Sequence, residues 1–221
     1  MAAVAVLLSL NTLAGTANAD PIQFTLTGTA NSTMYGYTSG QSYSFNWIVN
    51  SGFTNNPSSE FTASKNLWTD ELVSEAPIFS ALSGDGLTGS WVRPTVGEDD
   101  PWSLIQIFNA SSINLTAGND AGYSTGFNAN GTAIREITGL AVIGNIFSFP
   151  ASYTDPNVYF ASRTGTYSPS SGNIQLVPVS GPAVTFNATS FTISTIPEPS
   201  TALLTGLGLV ALIFRRRRHA R

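Results

Sequence analysis

The sequence predicts an all-β body, an antiparallel β-sandwich of jelly-roll type, over residues 20–196. Three observations lead there. Apolar and polar residues alternate with period two in segment after segment, which places every second side chain on one face of a strand. Gly, Pro and Asn break these segments at intervals of roughly 8–15 residues, the rhythm of a sandwich or barrel. Only residues 69–75 (TDELVSE) read as a helix, with Thr69 as its N-cap. No internal period is visible, which excludes a solenoid.

The predicted strands follow in order. Residues 22–29 put Ile22, Phe24 and Leu26 on one face, and residues 43–49 repeat the pattern around Trp47, with Gly36, Gly40 and Gly52 marking turns. Further strands are expected at 87–92, 103–109, 111–115, 134–143, 146–149, 158–166, 174–179 and 184–194. Trp47 lies inside a strand pattern and is expected in the core, since each indole buries much area. Trp68 and Trp102 lie near predicted loops and are the candidates for exposed sugar-stacking platforms.

The two ends differ from this body. Residues 2–14 are strongly apolar and lead to Ala17-Asn18-Ala19, a small-x-small site, followed by Asp20-Pro21. This is the layout of a secretory signal peptide over residues 1–19, with Ala17 and Ala19 at the cleavage site. It implies transit through the Sec machinery and signal peptidase, although no Lys or Arg precedes the apolar run. At the other end, Pro197-Glu198-Pro199 stops the last strand. An apolar segment at 202–214 follows, and then Arg215, Arg216, Arg217 and Arg218. A helix there spans about 20 Å against a hydrocarbon core of ~30 Å. Snorkelling and local thinning can close that gap. The arginines keep their end in the cytoplasm and leave the body on the other side.

Motif, apolar segment and basic cluster in this order closely resemble the PEP-CTERM sorting signal of Gram-negative bacteria. The resemblance covers residues 197–221, with the spanning helix at 201–214. It implies processing by an exosortase, a membrane cysteine transpeptidase, followed by release or attachment at the cell surface, often beside exopolysaccharide. A plain C-terminal membrane anchor is the alternative reading of the same segment.

Charge is divided along the chain. Five of the nine basic residues fall in the last seven positions, while all thirteen acidic residues lie within 20–198. That span holds only Lys65, Arg93, Arg135 and Arg163, so its net charge is −9. An acidic body with four scattered bases offers no track for a phosphate backbone, and nucleic acid is excluded as a partner. The chain has no cysteine, and its one histidine, His219, is in the tail. Ser-His-Asp and Cys-His catalysis and His- or Cys-based metal sites are thereby excluded from the body.

Carboxylate chemistry is what remains. Glu98-Asp99-Asp100, between Gly97 and Pro101, is the densest acidic cluster and the candidate Ca²⁺ loop, against the reading of a solvated turn. Asp85 and Asn119-Asp120, each flanked by glycines, are weaker versions. Glu71 and Glu75 at helical spacing, and Glu60 and Glu136 in strand surroundings, are the acids available to a glycan-active enzyme. Thr25, Thr27, Thr164 and Thr166 form two short threonine stretches that look isolated in the sequence.

The expectation is an exported, non-catalytic surface or matrix protein associated with exopolysaccharide, with a carboxylate-dependent glycan-active enzyme as the alternative. N-terminal sequencing of the exported product should begin at Asp20. A product that retains Ala17-Asn18-Ala19 ahead of Asp20 overturns the assignment of residues 1–19.

Overall fold

The computed structural model describes residues 20–50, 60–61, 65–69, 78–89, 102–118, 124–148 and 155–197. The elements are β1 (Ile22–Ala30), β2 (Ser42–Val49), β3 (Glu60–Phe61), β4 (Lys65–Thr69), β5 (Phe79–Gly84), β6 (Leu87–Gly89) and β7 (Trp102–Phe108). They continue with β8 (Ser112–Gly118), β9 (Phe127–Ala129), β10 (Thr132–Val142), helix α1 (Pro156–Ala161), β11 (Gly165–Tyr167), β12 (Ser171–Pro178) and β13 (Val184–Thr195).

The all-β, antiparallel expectation holds, but the architecture is one open, curled sheet and not two separate ones. Its main path runs β3-β4-β7-β8-β10-β12-β13-β1-β2-β5, and every pairing is antiparallel. β11 pairs with the end of β13, and β6 and β9 add a short flank to the start of β10. The curl brings the two arms of the sheet face to face around one core.

Alternation in the sequence becomes alternation in burial. β1 reads buried and half-buried in strict turn, with Ile22, Phe24 and Leu26 inside. β2 buries Phe45, Trp47 and Val49, and β13 buries Val184, Phe186, Phe191 and Ile193. Trp47 is fully buried, as its strand pattern implied.

Gly139 of β10 shows how the arms fit. A Cβ at this position would lie 2.9 Å from Cη2 of Trp47 and 3.4 Å from Cδ2 of Leu26. The bare backbone therefore makes room for the indole from the facing arm.

Two predicted strands are corrected. Residues 146–148 lie outside any strand and run past the end of β10, while 149 lies outside the described residues. Residues 158–166 are not one strand: α1 covers 158–161, a turn follows, and only 165–166 are extended, in β11. The overlooked signal is Asp155-Pro156. The Asp155 carboxylate accepts from the backbone N–H groups of Asn157 and Val158, and Pro156 sits at the first helical position, where its missing N–H costs nothing. Thr69 is the last residue of β4 and not a helix cap, and residues 70–75 lie outside the described part.

A six-residue helix has no stability of its own. Packing holds it in place. Phe160 meets Phe24 edge-on at 4.8 Å, and its ring also packs with Phe147 and Trp68. The buried Asn157 side chain joins two strands: its Oδ1 accepts from Ile22 N–H at 3.0 Å and its Nδ2 donates to Asn50 C=O at 3.2 Å. Without it the Ile22 N–H loses its side-chain partner in the core, at about 1–3 kcal/mol.

At the other end of the sheet Tyr37 is the closing residue. Its ring is fully buried edge-on to Tyr43 and Phe186, and its hydroxyl donates to Asp85 C=O at 3.0 Å. Burial first, then the neighbouring Asp85 charge and Tyr43, hold this phenol well above its ordinary range. Burial also raises Tyr159, against the opposing effect of Arg163.

Two outcomes follow. Gly139→Ala should destabilise the body by about 1–3 kcal/mol in urea melts, since overpacking outweighs the smaller gain from stiffening the unfolded chain. Trp47→Phe should cost less in that background than alone, and strict additivity overturns the contact. The raised phenols make stability complete below the unfolded tyrosine value near 10 and lost progressively as pH rises above it. Urea midpoints should therefore fall above about pH 10, and Tyr37→Phe should flatten that fall.

Candidate functional site

The outward face of β5-β2-β1-β13-β11 is the best-defined polar surface. Cross-strand register sets five side chains in one row: Ser83, Asn46, Thr25, Thr192 and Thr166. Strands lie about 4.8 Å apart, so the row extends roughly 19 Å. A second row sets Ser44, Thr27 and Ser190 side by side. The two threonine stretches that look isolated in the sequence share this face, because Thr25 and Thr166 both pair with Thr192. Thr192 itself carried no separate signal, being one polar residue among several in β13.

These side chains hold one another in place. Thr25 Oγ1 donates to Asn46 Oδ1 at 2.7 Å, and Gln23 Nε2 donates to both. Asn46 Nδ2 donates to Ser83 Oγ at 3.2 Å. Thr27 bonds Ser44 at 2.8 Å, and Thr166 bonds Thr192 at 3.0 Å. A hydroxyl has one donor and two acceptor positions, so each group in these pairs keeps capacity for an external partner. None of the named side chains is ionised. The face is a pre-set, neutral grid of donors and acceptors.

The turns opposite α1 form a second cluster. Tyr35 hydroxyl donates to Pro182 C=O, and Asn130 Nδ2 donates to Tyr35 C=O. Asn130 N–H reaches Gly86 C=O, which ties three turns together. Tyr35 and Asn130 both sit at positive φ, 49° and 47°. For Tyr35 this is a strained position that the hydrogen bonds to Pro182 and Asn130 maintain.

The residues singled out in the sequence distribute as follows. Trp68 is fully buried, its ring 5.3 Å from Tyr159 and 5.7 Å from Phe160, so it is no platform for sugars. The reason is β4, a strand that turns this side chain into the core where a loop was expected. Trp102 opens β7 opposite Gly118, and its side chain lies outside the described part. Glu98, Asp99 and Asp100, the Ca²⁺ candidates, lie outside the described residues, as do Asn119 and Asp120. So do Ala17, Ala19, Glu198, Pro199, Arg215, Arg216, Arg217 and Arg218.

Asp85 is occupied locally. Its Oδ2 accepts from Ser44 N–H at 2.8 Å and so fastens the β5–β6 turn to β2. Glu136 accepts from Thr138 Oγ1 at 2.8 Å. Glu71 and Glu75 lie outside the described part. Among the described residues no three His, Cys, Asp or Glu side chains gather as a metal site, and no helix is long and apolar enough to cross a membrane.

The end of the body nearest the tail is also defined. Ile22 and Thr195 are cross-strand partners, and Ile196 N–H donates to Pro21 C=O at 2.8 Å. The chain therefore enters and leaves the sheet at one place. Pro197 follows, exposed.

No curated protein and no solved structure matches the chain. A family model described as the PEP-CTERM protein-sorting motif matches residues 195–218, starting at the last residue of β13. Such a motif directs export to the cell surface or the extracellular space, with exosortase processing on the way. The chain is thus a carrier of the PEP-CTERM sorting motif, with an all-β body as its cargo.

Proposed function

We propose that the body is a non-catalytic surface or matrix domain that associates with exopolysaccharide through the neutral face of β5-β2-β1-β13-β11. The signal peptide at 1–19 carries it through the Sec machinery. The helix at 201–214 then holds it in the membrane until exosortase acts.

The observation that supports this reading is the row Ser83-Asn46-Thr25-Thr192-Thr166. Sugar hydroxyls both donate and accept, and so do the side chains of this row. Neutral groups are cheap to desolvate compared with charges, so weak contacts with a neutral glycan are not offset by a large penalty. Each contact is small. A polymer that meets many copies of the grid at once gains by multivalency and needs no deep pocket.

The body, purified without its tail, should be slowed in native gels cast with the producing strain's own polysaccharide. Thr25→Val with Thr192→Val removes two hydroxyls at nearly constant shape and keeps good strand formers. Retardation should fall several-fold in the double variant, which corresponds to a loss of about 1 kcal/mol of binding. Unchanged retardation removes the face from the argument. A wild-type body that is not slowed at all overturns polysaccharide association.

A further inference from the structure

We infer that the α1 end of the body is a lipid-facing base, which rests on the membrane surface while the tail is inserted. The inference rests on reading residues 202–214 as a membrane segment, and its subject is a surface of the folded body.

Tether length is the first support. β13 ends at Thr195, and the apolar segment begins at residue 202. The six intervening residues span at most about 20 Å when fully extended. β13 alone, at twelve residues, is roughly 40 Å long. A body on a tether half its own length cannot stand on its far end. The end at which Thr195 leaves the sheet is held within about 20 Å of the lipid.

The surface chemistry of that end is the second support. Among the described residues only Val158 (55% exposed) and Phe108 (37% exposed) leave a large apolar side chain in water. Both belong to this end. Val158 is on α1, whose Asn157 binds the first residue of β1. Phe108 closes β7, and the adjoining turn residue Ala110 accepts from Phe147 N–H. The Phe147 ring in turn packs on Phe160 of α1. Among the described residues the opposite end, with the Tyr35, Asp85 and Asn130 turns, presents no such side chain.

Among the described charged residues at this end, Arg163 lies over the Tyr159 ring and donates to Ser148, and Asp155 is engaged as the helix cap. Lys65 is the cross-strand partner of Phe108, and Asp20 precedes β1. The contact is therefore apolar and weak, and tethering makes it effective, because a linked surface meets its partner at a high local concentration. The occupant is the bilayer that holds the tail.

The chain has no cysteine, so single labels can be placed without background. Val158→Cys and, as the distal control, Ser39→Cys are each labelled with a polarity-sensitive dye in the full chain. The chain is reconstituted with vesicles of phosphatidylethanolamine and phosphatidylglycerol, with and without brominated acyl chains. The label at 158 should shift to the blue and lose intensity to bromine, while the label at 39 keeps its value in water. Val158→Glu should reduce the same quenching of a label placed by Phe108→Cys. Chain that sediments with the vesicles while both labels stay in water overturns the lipid-facing base alone. Chain that does not sediment overturns the membrane reading of the tail, and the base with it.

Discussion

The pairing of β1 with β13 is the constraint on which the rest depends. The first and last strands of the body are neighbours in the middle of the sheet, matched over all nine residues of β1. Everything on either arm is attached through this seam: β2 and β5 beyond β1, and β12, β10, β8, β7, β4 and β3 beyond β13. Neither arm can join the other before β13 is in place. Such long-range pairing costs loop entropy before any contact repays it, and it makes folding slow compared with local hairpins. The seam also explains the position of α1. Asn157 accepts from the first N–H of β1 and donates to the C=O that follows β2, and so binds both strands at that end.

The body is low in charge for a protein of its size, and the sheet shows how it can be. Outward positions carry Ser, Thr, Asn and Gln, which satisfy one another across strands and need no ions to stay hydrated. Cross-strand pairs of this kind contribute about 0.2–1 kcal/mol each, comparable to an exposed ion pair but insensitive to salt. A neutral, internally bonded face is thus structural before it is anything else. Any affinity it has comes from the donor and acceptor positions left over. That makes a weak, broad ligand a better match than a tight, small one.

Much of this was legible from the sequence, and the reasons for the remainder are specific. β1, β2, β10, β12 and β13 alternate because one face is buried and the other wet, and their limits fall within three residues of expectation. β4, β5 and β9 went unseen since short strands offer too few residues for a period to show. Val158, Tyr159 and Phe160 have β-propensity, yet Asp155-Pro156 and the aromatic pocket at this end outweigh it. Of the candidate site, single threonines could be read but not their row. That row depends on Thr192 standing between Thr25 and Thr166, and register is a property of the fold that local pattern does not encode.

The two ends of the sheet differ in kind, and this gives the molecule a direction. One end is closed by carbon: Phe24, Phe147, Tyr159 and Phe160 around a helix whose one exposed large side chain is Val158. The other is closed by hydrogen bonds among turns, with Tyr37 beneath them and Tyr35 held at positive φ above. The sorting motif begins at the first of these ends, on the last residue of the strand that the seam requires. Its position is therefore tied to completion of the fold. A body whose β13 is unpaired has no fixed end for the motif to leave from, while a completed one holds Pro197 within two residues of the Ile22–Thr195 pair. Sorting signal and sheet meet at Thr195, where the last strand of the seam ends.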